Sequence, residues 1–341
     1  MIRLNCDYLE GCHPSILEKL TATNLEQTPG YGTDHYCQEA ADAVRRAFSC
    51  PESAVHFLVG GTQANMTVIA AALRPYEGVL CAETGHINVH ETGAIESTGH
   101  KCLALPHVNG IITAQQVADA LAEQADDEHT VRPGMVYISM STEVGTVYTR
   151  DGLKALYETC KALGLYLFID GARLGYGLAA PGGDLTPADI ARYSDVFTVG
   201  GTKMGALFGE AVVISNPALN VRFRYMIKQK GGMLAKGRLL GLQFLALMED
   251  DLYFKTGKKA VAQAMRIRQA LLDAGFTFHV DSPTNQIFPI FTDSQWKRLE
   301  EAFKLEFNGR IDAEHVILRV CTSWCTPDEY VDKFIAAVKA L

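Results

Sequence analysis

The segment from residue 134 to residue 170 constrains the fold more than any other part of the chain. Residues 134–140 and 165–170 are short apolar runs, typical of strands that are covered on both faces. The residues between them show the apolar spacing of a helix that ends at Gly164: Leu153, Leu156, Tyr157, Cys160 and Leu163. A strand, a helix and a strand in this order predict a βαβ unit with parallel strands and a right-handed crossover.

Further strands of the same kind extend this unit into a larger sheet. "SAVHFLVGG" precedes the helical segment "TQANMTVIAAAL", and "VFTVGG" and "EAVVIS" supply two more strands. The sequence therefore predicts an α/β fold with a large domain built on a mostly parallel sheet. We expect this domain, with an N-terminal arm, to span residues 1–245.

The last hundred residues or so show a different pattern, which we assign to a smaller α+β domain over residues 246–341. "FTFHVDS", "QIFPIFT" and "VILRVCTS" are predicted strands, with a helix near residues 294–305 between the second and the third. The chain closes with a predicted helix that has Thr326 as its cap, Pro327 in the first helical position and Glu329 completing a capping box.

Charge and cysteine content narrow the classes of function. Lys and Arg number 31 against 39 Asp and Glu, a net charge of −8, which disfavours nucleic acid and anionic membranes as partners. Apolar runs stay short of the roughly 18 residues that span a bilayer. The nine cysteines are scattered, and residues 1–7 lack the features of a signal peptide. We expect reduced thiols and a cytoplasmic location.

Three polar features fall at predicted strand ends. Asp170 ends one strand, Lys203 follows another within a glycine-rich turn, and Gly61 and Thr62 open a helix directly after a third. In an open α/β sheet, ligands bind at the carboxyl ends of the strands. A helix N-terminus binds anions, phosphate above all. Each feature also has an ordinary structural explanation, since Asp170 could cap a helix and Lys203 could form an ion pair.

Pyridoxal 5′-phosphate is a cofactor that needs all three groups at once. It requires a lysine amine for its aldehyde, an acid beside its pyridine nitrogen and a cradle for its phosphate. Burial near other cations would keep such a lysine partly neutral and therefore nucleophilic. The order of phosphate loop, aspartate and lysine along the chain thus predicts a pyridoxal-phosphate enzyme.

Over nearly its whole length the sequence resembles the threonine aldolase (aromatic amino acid β-eliminating lyase) family of fold-type I pyridoxal-phosphate enzymes. The segments that carry the resemblance are "GYGTD", "GGTQAN", "TGHINVHETGAIE", "DGARL", "TKMGALFG", "SPTNQIF" and "ILRVCTS". The most distinctive is "DGARL", residues 170–174. The resemblance is specific because these segments occur in the family's order and spacing.

The resemblance implies a role for each matching residue. Lys203 would bind the cofactor aldehyde, Asp170 the pyridine nitrogen, and Gly61 and Thr62 the phosphate. His86 would stack over the cofactor ring. Arg173 and Arg319 would lie near the substrate carboxylate, which a guanidinium can grip with two parallel hydrogen bonds.

At two positions the chain departs from the family pattern. Glu143 stands where the family has a histidine associated with the substrate hydroxyl, so we expect Glu143 to be a catalytic group near that hydroxyl. The alternative is that Glu143 forms an ion pair with a nearby arginine. Leu234 replaces an arginine that reaches the phosphate in a neighbouring subunit. One of four cations could take its place, which leaves the choice open: Lys228, Lys230, Lys236 and Arg238.

The activity that the resemblance implies is cleavage of a β-hydroxy-α-amino acid to glycine and an aldehyde, in a homodimer or homotetramer. Threonine, allo-threonine and phenylserine remain open as substrates. Within the same cofactor class, β-elimination is the alternative. A remote alternative from another class is a zinc hydrolase that uses His86 and His90, although "HINVHE" matches neither common zinc-protease signature. We therefore predict no metal site.

Overall fold

The structure is a computed structural model that describes residues 1–124 and 127–341. In these ranges the strands are β1 (Ile2–Arg3), β2 (Ala54–Leu58), β3 (Glu77–Ala82), β4 (Cys102–Leu105), β5 (Arg132–Ser139), β6 (Tyr166–Asp170), β7 (Val196–Gly200), β8 (Glu210–Ile214), β9 (Gln286–Ile287), β10 (Ile290–Thr292), β11 (Phe303–Lys304), β12 (Glu306–Arg310) and β13 (His315–Cys321).

The α-helices in the same ranges are α1 (Pro14–Ala22), α2 (His35–Ala47), α3 (Gly61–Ala72), α4 (His86–Val89), α5 (Ala114–Gln124), α6 (Arg150–Ala162), α7 (Leu174–Leu178), α8 (Pro187–Arg192), α9 (Phe223–Gln229), α10 (Arg238–Met248), α11 (Leu252–Asp273), α12 (Asp293–Glu300) and α13 (Asp328–Lys339). Short 3₁₀ helices span Glu96–Thr98, Thr202–Met204, Pro217–Asn220 and Glu249–Asp251. Among all these described helices, none is both long enough and apolar enough to cross a membrane.

A seven-stranded sheet with the order β2-β8-β7-β6-β5-β3-β4 forms the centre of the molecule. Strands β3 to β7 pair in parallel, whereas β8 runs antiparallel to both of its neighbours, β7 and β2. The predicted βαβ unit is β5, α6 and β6, and Gly164 follows α6 at a φ of 70°, which a glycine adopts without strain. These findings confirm the predicted α/β class and the mostly parallel sheet.

Burial on both faces explains why the central strands are continuous apolar runs. On β5, Val136 and Ile138 join one core cluster, while Met135 and Tyr137 join another on the opposite face. Successive side chains of a strand point to opposite faces, so both faces of this sheet are covered.

A second unit packs around its own core near the C-terminus. Its strands run in the order β10-β13-β12, with β9 also paired to β13. Leu4 from the N-terminal segment belongs to this core, and β1 pairs in parallel with β11. The division of the chain at residue 245 stays a prediction, and the packing adds that residues 2–4 contact the second unit.

Three local predictions for the second unit are wrong. No strand forms over residues 276–282, where Phe278 makes an isolated bridge to Pro289, and α12 ends at Glu300 rather than near 305. The helix α13 begins at Asp328, with Pro327 as its cap and no side-chain cap. The Thr326 hydroxyl instead accepts a hydrogen bond from the Ser323 N–H at 2.7 Å, so a local turn takes the predicted capping oxygen.

Candidate active site

Lys203 lies in the turn that connects β7 to β8. The N–H groups of Gly201 and Thr202 donate to the Gly209 carbonyl at 2.9 and 3.3 Å, which closes the turn. Gly209, at a φ of 129°, has backbone dihedrals that side-chain-bearing residues rarely adopt. The Tyr176 hydroxyl donates to the Lys203 carbonyl at 2.6 Å and fixes its backbone. The glycines therefore shape a turn that presents the lysine at the edge of the sheet.

A cavity of about 380 Å³ opens at this edge. Seven of the eight predicted site residues line it: Gly61, Thr62, His86, Glu143, Asp170, Arg173 and Lys203. Arg319 is the exception. The strands that carry the other residues are neighbours in the sheet, so residues far apart in the sequence meet at one site.

Asp170 is held in the cavity wall by three hydrogen bonds. Its carboxylate accepts from the Tyr137 hydroxyl at 2.7 Å, from the Asn65 amide at 2.9 Å and from the Ala172 N–H at 2.9 Å. Burial would raise its pKa, but these donors outweigh burial and hold the pKa of Asp170 below its ordinary value. Asp170 is therefore a buried, negatively charged group at neutral pH.

His86 belongs to the same network of hydrogen bonds. Its Nδ1 lies 2.8 Å from Oε1 of Glu91, and the Asn65 amide donates to that same oxygen at 2.7 Å. Asn65 thus bridges Glu91 and Asp170. The hydrogen bond to Glu91 raises the pKa of His86 against the opposing effect of burial. This arrangement fixes the orientation of the imidazole in the cavity wall.

Lys203 is buried among charges of both signs. Burial lowers its pKa, and the nearby Arg173 lowers it further, against the attraction of Asp7, Glu210 and Asp170. Its Nζ lies 6.0 Å from the centre of the Tyr8 ring. The lowered pKa favours the neutral amine, which is the nucleophilic form.

Arg173 is paired with a residue from the N-terminal segment. Its Nε and Nη2 donate to the two carboxylate oxygens of Asp7 at 2.8 and 2.9 Å. Burial opposes both charges, but the pair lowers the pKa of Asp7 and raises that of Arg173. One edge of the guanidinium is thus already occupied, and a substrate carboxylate would have to bind the other edge.

Arg319 lies on β13, outside the set of cavity-lining residues. Its Nη2 donates to the Asn5 carbonyl at 2.9 Å, and its Nη1 to the Gln286 side chain at 3.3 Å. Its Nε is buried without a hydrogen-bond partner. It is linked to the cavity through Tyr8, a cavity-lining residue whose pKa is raised by burial against the opposing charge of Arg319.

Glu143 is bound by donors other than arginine. Its Oε1 accepts from the Ser139 hydroxyl at 2.6 Å and from the His86 N–H at 2.9 Å. Burial nevertheless raises the pKa of Glu143 above its ordinary value, and the charge of Asp170 adds to the effect. The predicted alternative, an ion pair with a nearby arginine, does not occur within the described ranges.

The rim of the cavity next to α3 is open. Gly60 caps this helix without a side chain, and a Cβ at Gly60 or Gly61 would meet no atom within 4 Å. Gln63 braces the loop, since its side chain accepts from the Val59 N–H at 3.3 Å and donates to the Lys230 carbonyl at 3.2 Å. The helix N-terminus therefore offers free N–H groups and room for an anion.

None of the four candidate cations lines the cavity in the described parts of this chain. The Nζ of Lys228 lies 5.0 Å from the centre of the Tyr31 ring, and Arg238 donates to the Glu26 carbonyl at 2.6 Å. Lys230 contributes its carbonyl to the brace by Gln63. Within one chain, the charges of Lys228 and Arg238 are thus directed toward Tyr31 and the Glu26 carbonyl.

The zinc alternative gains no support. The rings of His86 and His90 lie 5.6 Å apart. Over residues 1–124 and 127–341, however, no group of three or more His, Cys, Asp or Glu side chains is arranged to hold a metal ion. His86 faces Glu91 in the network described above.

Among the residues of this site that were not predicted from the sequence are Asp7, Asn65, Tyr137 and Glu210. Asn65 lies one helical turn beyond the phosphate loop, and Tyr137 lies inside an apolar strand. Nothing in the sequence marks either residue as a hydrogen-bond donor to Asp170. Glu210 did carry a signal, because it is a carboxyl at the start of an apolar strand, directly after the turn that holds Lys203.

This fold and site define a class of enzyme. A double mutant of aspartate aminotransferase from Thermus thermophilus has the same fold, with a TM-score of 0.72 at 13% identity, over 100% of this chain and 92% of that chain. A family model for beta-eliminating lyases matches residues 6–293. The chain therefore belongs to the beta-eliminating lyase family, whose members and fold relatives depend on pyridoxal phosphate.

Within this family the chain is similar to threonine aldolases. It is 34% identical over 271 residues to the low specificity L-threonine aldolase of Pseudomonas aeruginosa. The aligned region covers 78% of this chain and 77% of that protein. A corresponding protein from a Pseudomonas species is 35% identical over 253 residues, or 73% of this chain and 72% of the relative. The solved threonine aldolase structure from Leishmania major has a TM-score of 0.98 at 41% identity and covers 100% of this chain and 99% of that one.

Proposed function

We propose that this protein is a pyridoxal-phosphate-dependent aldehyde-lyase. It cleaves the Cα–Cβ bond of a β-hydroxy-α-amino acid of the threonine type and yields glycine and an aldehyde. The observation that carries the proposal is the convergence of Asp170, Lys203 and the N-terminus of α3 on one cavity. The similarity to threonine aldolases over most of the chain supports the choice of substrate class.

The residues present fit the cofactor. The open space at Gly60 and Gly61 and the free N–H groups there suit a phosphate, with the Thr62 hydroxyl beside them. Asp170 is charged and buried, as a partner of a protonated pyridine nitrogen must be. Lys203 supplies an amine with a lowered pKa. When bound, pyridoxal phosphate withdraws electrons from the Cα of an attached amino acid and thereby stabilises negative charge at that carbon.

Each side chain then has a defined task. Lys203 would hold the cofactor through its amine. Asp170 would keep a proton on the ring nitrogen by charge, and Tyr137 and Asn65 keep Asp170 ionised. His86, oriented by Glu91, would line the cofactor site.

The substrate end of the cavity contains the acid–base group. Arg173 binds the substrate carboxylate through its other edge, and Arg319 adds positive potential that reaches the cavity-lining Tyr8. Glu143 accepts the proton of the β-hydroxyl, the oxygen becomes the aldehyde carbonyl, and the Cα–Cβ electron pair remains at Cα until a proton reaches it. The raised pKa of Glu143 brings its basicity closer to the range a general base needs.

An aldehyde-release assay tests this function. Purified protein with added pyridoxal phosphate is incubated with threonine, allo-threonine and phenylserine, and both aldehyde and glycine are measured. Equal amounts of the two products are expected, and none from Lys203→Ala. Release of ammonia and a keto acid without glycine would instead identify a β-eliminating enzyme and overturn the proposal.

We also infer that the active protein is an oligomer with its site near a subunit interface, either a homodimer or a homotetramer. The basic residues between 222 and 238 support this inference, because none of them lines the cavity of its own chain in the described ranges. Sedimentation of an active, cofactor-loaded monomer would contradict it. The cytoplasmic location and the domain boundary stay predictions from the sequence.

A further inference from the structure

Glu210 is a buried carboxyl group to which the mechanism above gives no task. It begins β8, paired with Gly200 of β7 on one side and Leu58 of β2 on the other. Because β8 runs antiparallel to β7, its first residue lies at the same sheet edge as the last residue of β7. Glu210 therefore lines the cavity together with Lys203.

The surroundings of Glu210 do not compensate a negative charge. The residue is 4% exposed, and its Oε2 is buried without a hydrogen-bond partner. Such a carboxylate is costly unless it is paired or protonated. Among the residues described, Glu210 forms no ion pair with Lys203, which leaves its carboxyl free to face the cavity.

The charged and titratable groups around this pair come from several elements. Lys203 and Asp170 act on Glu210, and Tyr253 of α11 lies close enough to feel its charge. Lys203 in turn faces a larger set of groups: Asp7, Tyr8, His86, Asp170, Arg173 and Glu210. Burial raises the pKa of Glu210 to about 8, against the attraction of Lys203 and with the support of Asp170. At neutral pH its carboxyl is largely protonated.

We propose that Glu210 is the general acid that assists formation of the covalent bond between Lys203 and the cofactor aldehyde. The bond from Nζ to the aldehyde carbon forms, the carbon–oxygen bond breaks, and the oxygen must leave as water. Both protons of that water come from the Lys203 amine: Glu210 gives a proton to the oxygen and takes one from the nitrogen as the carbon–nitrogen bond forms, and repeats this exchange as the carbon–oxygen bond breaks, so it ends unchanged. No other reactant is needed.

The inference rests on the proposed function in one respect only, since it takes Lys203 as the residue that captures the cofactor. A neutral carboxyl is well suited to this task, because it can donate a proton where a carboxylate cannot. Asp170 is negatively charged and serves another purpose. Glu143 lines the same cavity, but the charge of Lys203 is not among the main influences on it.

The test measures how fast the cofactor-free protein captures pyridoxal phosphate covalently. Capture is followed by absorbance and by borohydride trapping on the Lys203 peptide, between pH 6 and 9 in steps of about half a unit that bracket the pKa of Glu210. We expect wild-type capture to slow as the pH rises through about 8, where Glu210 loses its proton. In Glu210→Gln, capture at pH 7 should be at least roughly tenfold slower and lack this alkaline decline.

Glu158→Gln is the control, because it makes the same chemical change on the exposed face of α6, away from the cavity, and should leave capture within about twofold of wild type. Equal capture rates in Glu210→Gln and wild type at pH 7 would overturn the proposal. If Lys203→Ala still captured the cofactor, the proposed function itself would fail. Loss of capture in Lys203→Ala with normal capture in Glu210→Gln would refute the role of Glu210 alone.

A second measurement does not depend on a folded variant. Infrared spectra of the wild-type protein distinguish a protonated carboxyl from a carboxylate by the carbonyl stretch. Selective ¹³C labelling of glutamate assigns that signal to glutamate, and its retention in Glu143→Gln excludes Glu143 as its source. We expect it to disappear with a midpoint of about 8. Absence of such a signal at pH 7 would show an ionised Glu210 and overturn the proposal.

Discussion

Asp170 and Glu210 line the same cavity and are almost equally buried, at 5% and 4% exposure, yet at neutral pH Asp170 is an anion and Glu210 is largely protonated and therefore neutral. Asp170 accepts three hydrogen bonds, which hold its pKa below its ordinary value despite burial. The Oε2 of Glu210 has no donor, and burial raises its pKa to about 8. In this cavity, the hydrogen-bond donors around a buried carboxyl group, rather than its degree of burial, therefore determine its charge.

Glu143 is an intermediate case. It accepts two hydrogen bonds, from Ser139 and from the His86 N–H, but burial and the charge of Asp170 still leave its pKa raised. The cavity thus holds one carboxyl group with a lowered pKa, Asp170, and two with a raised pKa, Glu143 and Glu210. Such a separation lets one site contain both a permanent anion and groups that exchange protons.

The largest effect is expected from Lys203→Ala, which removes the cation that interacts with both Asp170 and Glu210. Without the amine, no covalent bond to the cofactor forms, so the absorbance of the bound chromophore and all turnover should be lost. Absorbance spectra before and after borohydride treatment measure this. A variant that kept a borohydride-reducible chromophore would show that another residue captures the cofactor.

Asp170→Asn removes the negative charge of Asp170 and so tests whether that charge is needed for turnover. The amide keeps the shape of the side chain but cannot hold a proton on the pyridine nitrogen by charge. We expect the cofactor to bind and kcat to fall at least roughly a hundredfold, as when one preorganised electrostatic group is removed. Near-normal kcat, measured by aldehyde release, would reduce Asp170 to its structural role as acceptor for the Ala172 N–H.

Glu143→Gln tests the role of Glu143 through the pH dependence of aldehyde release. Because only the ionised form can accept the hydroxyl proton, wild-type aldehyde release should fall as the pH drops through the raised pKa of Glu143. The variant should lose roughly tenfold to a hundredfold in kcat and also lose this acid limb.

Ser139→Ala provides the matched control for this test. It removes the 2.6 Å hydrogen bond that favours the Glu143 carboxylate, so the acid limb should move to higher pH while Glu143 is retained. An acid limb that stays in place in both variants would assign it to a different group.

The smallest effect is expected from Tyr137→Phe, which removes one of the hydrogen-bond donors to Asp170 and leaves the other two in place. With the 2.7 Å hydrogen bond gone, the pKa of Asp170 rises and its charge is less secure. We expect kcat to fall by about tenfold or less, in line with the loss of one hydrogen bond to a charged group. The loss should deepen as the pH falls. An unchanged profile would mean that Asn65 and Ala172 suffice.

The βαβ core and the placement of Lys203 and Asp170 at strand ends could be predicted from the sequence alone. Apolar runs mark strands that are covered on both faces, and the carboxyl ends of parallel strands meet at one sheet edge, so a side chain at such an end is placed by local pattern alone. The glycines around Lys203 added a local signal of the same kind. Local pattern failed at Thr326, where a neighbouring turn competed for the capping oxygen.

The charged neighbours of the site residues, in contrast, depend on the tertiary structure. The pairing of Arg173 with Asp7 joins side chains 166 positions apart, and it required the N-terminal segment to pack against the second unit and the edge of the sheet. Arg319 is predicted near the substrate carboxylate, and the fold directs its guanidinium to the Asn5 carbonyl and the Gln286 side chain. Glu210 reached the site because β8 runs against its neighbours, which brings the start of a strand to the edge where the others end. Strand order and direction depend on packing across the whole sheet, and no local spacing of residues encodes them.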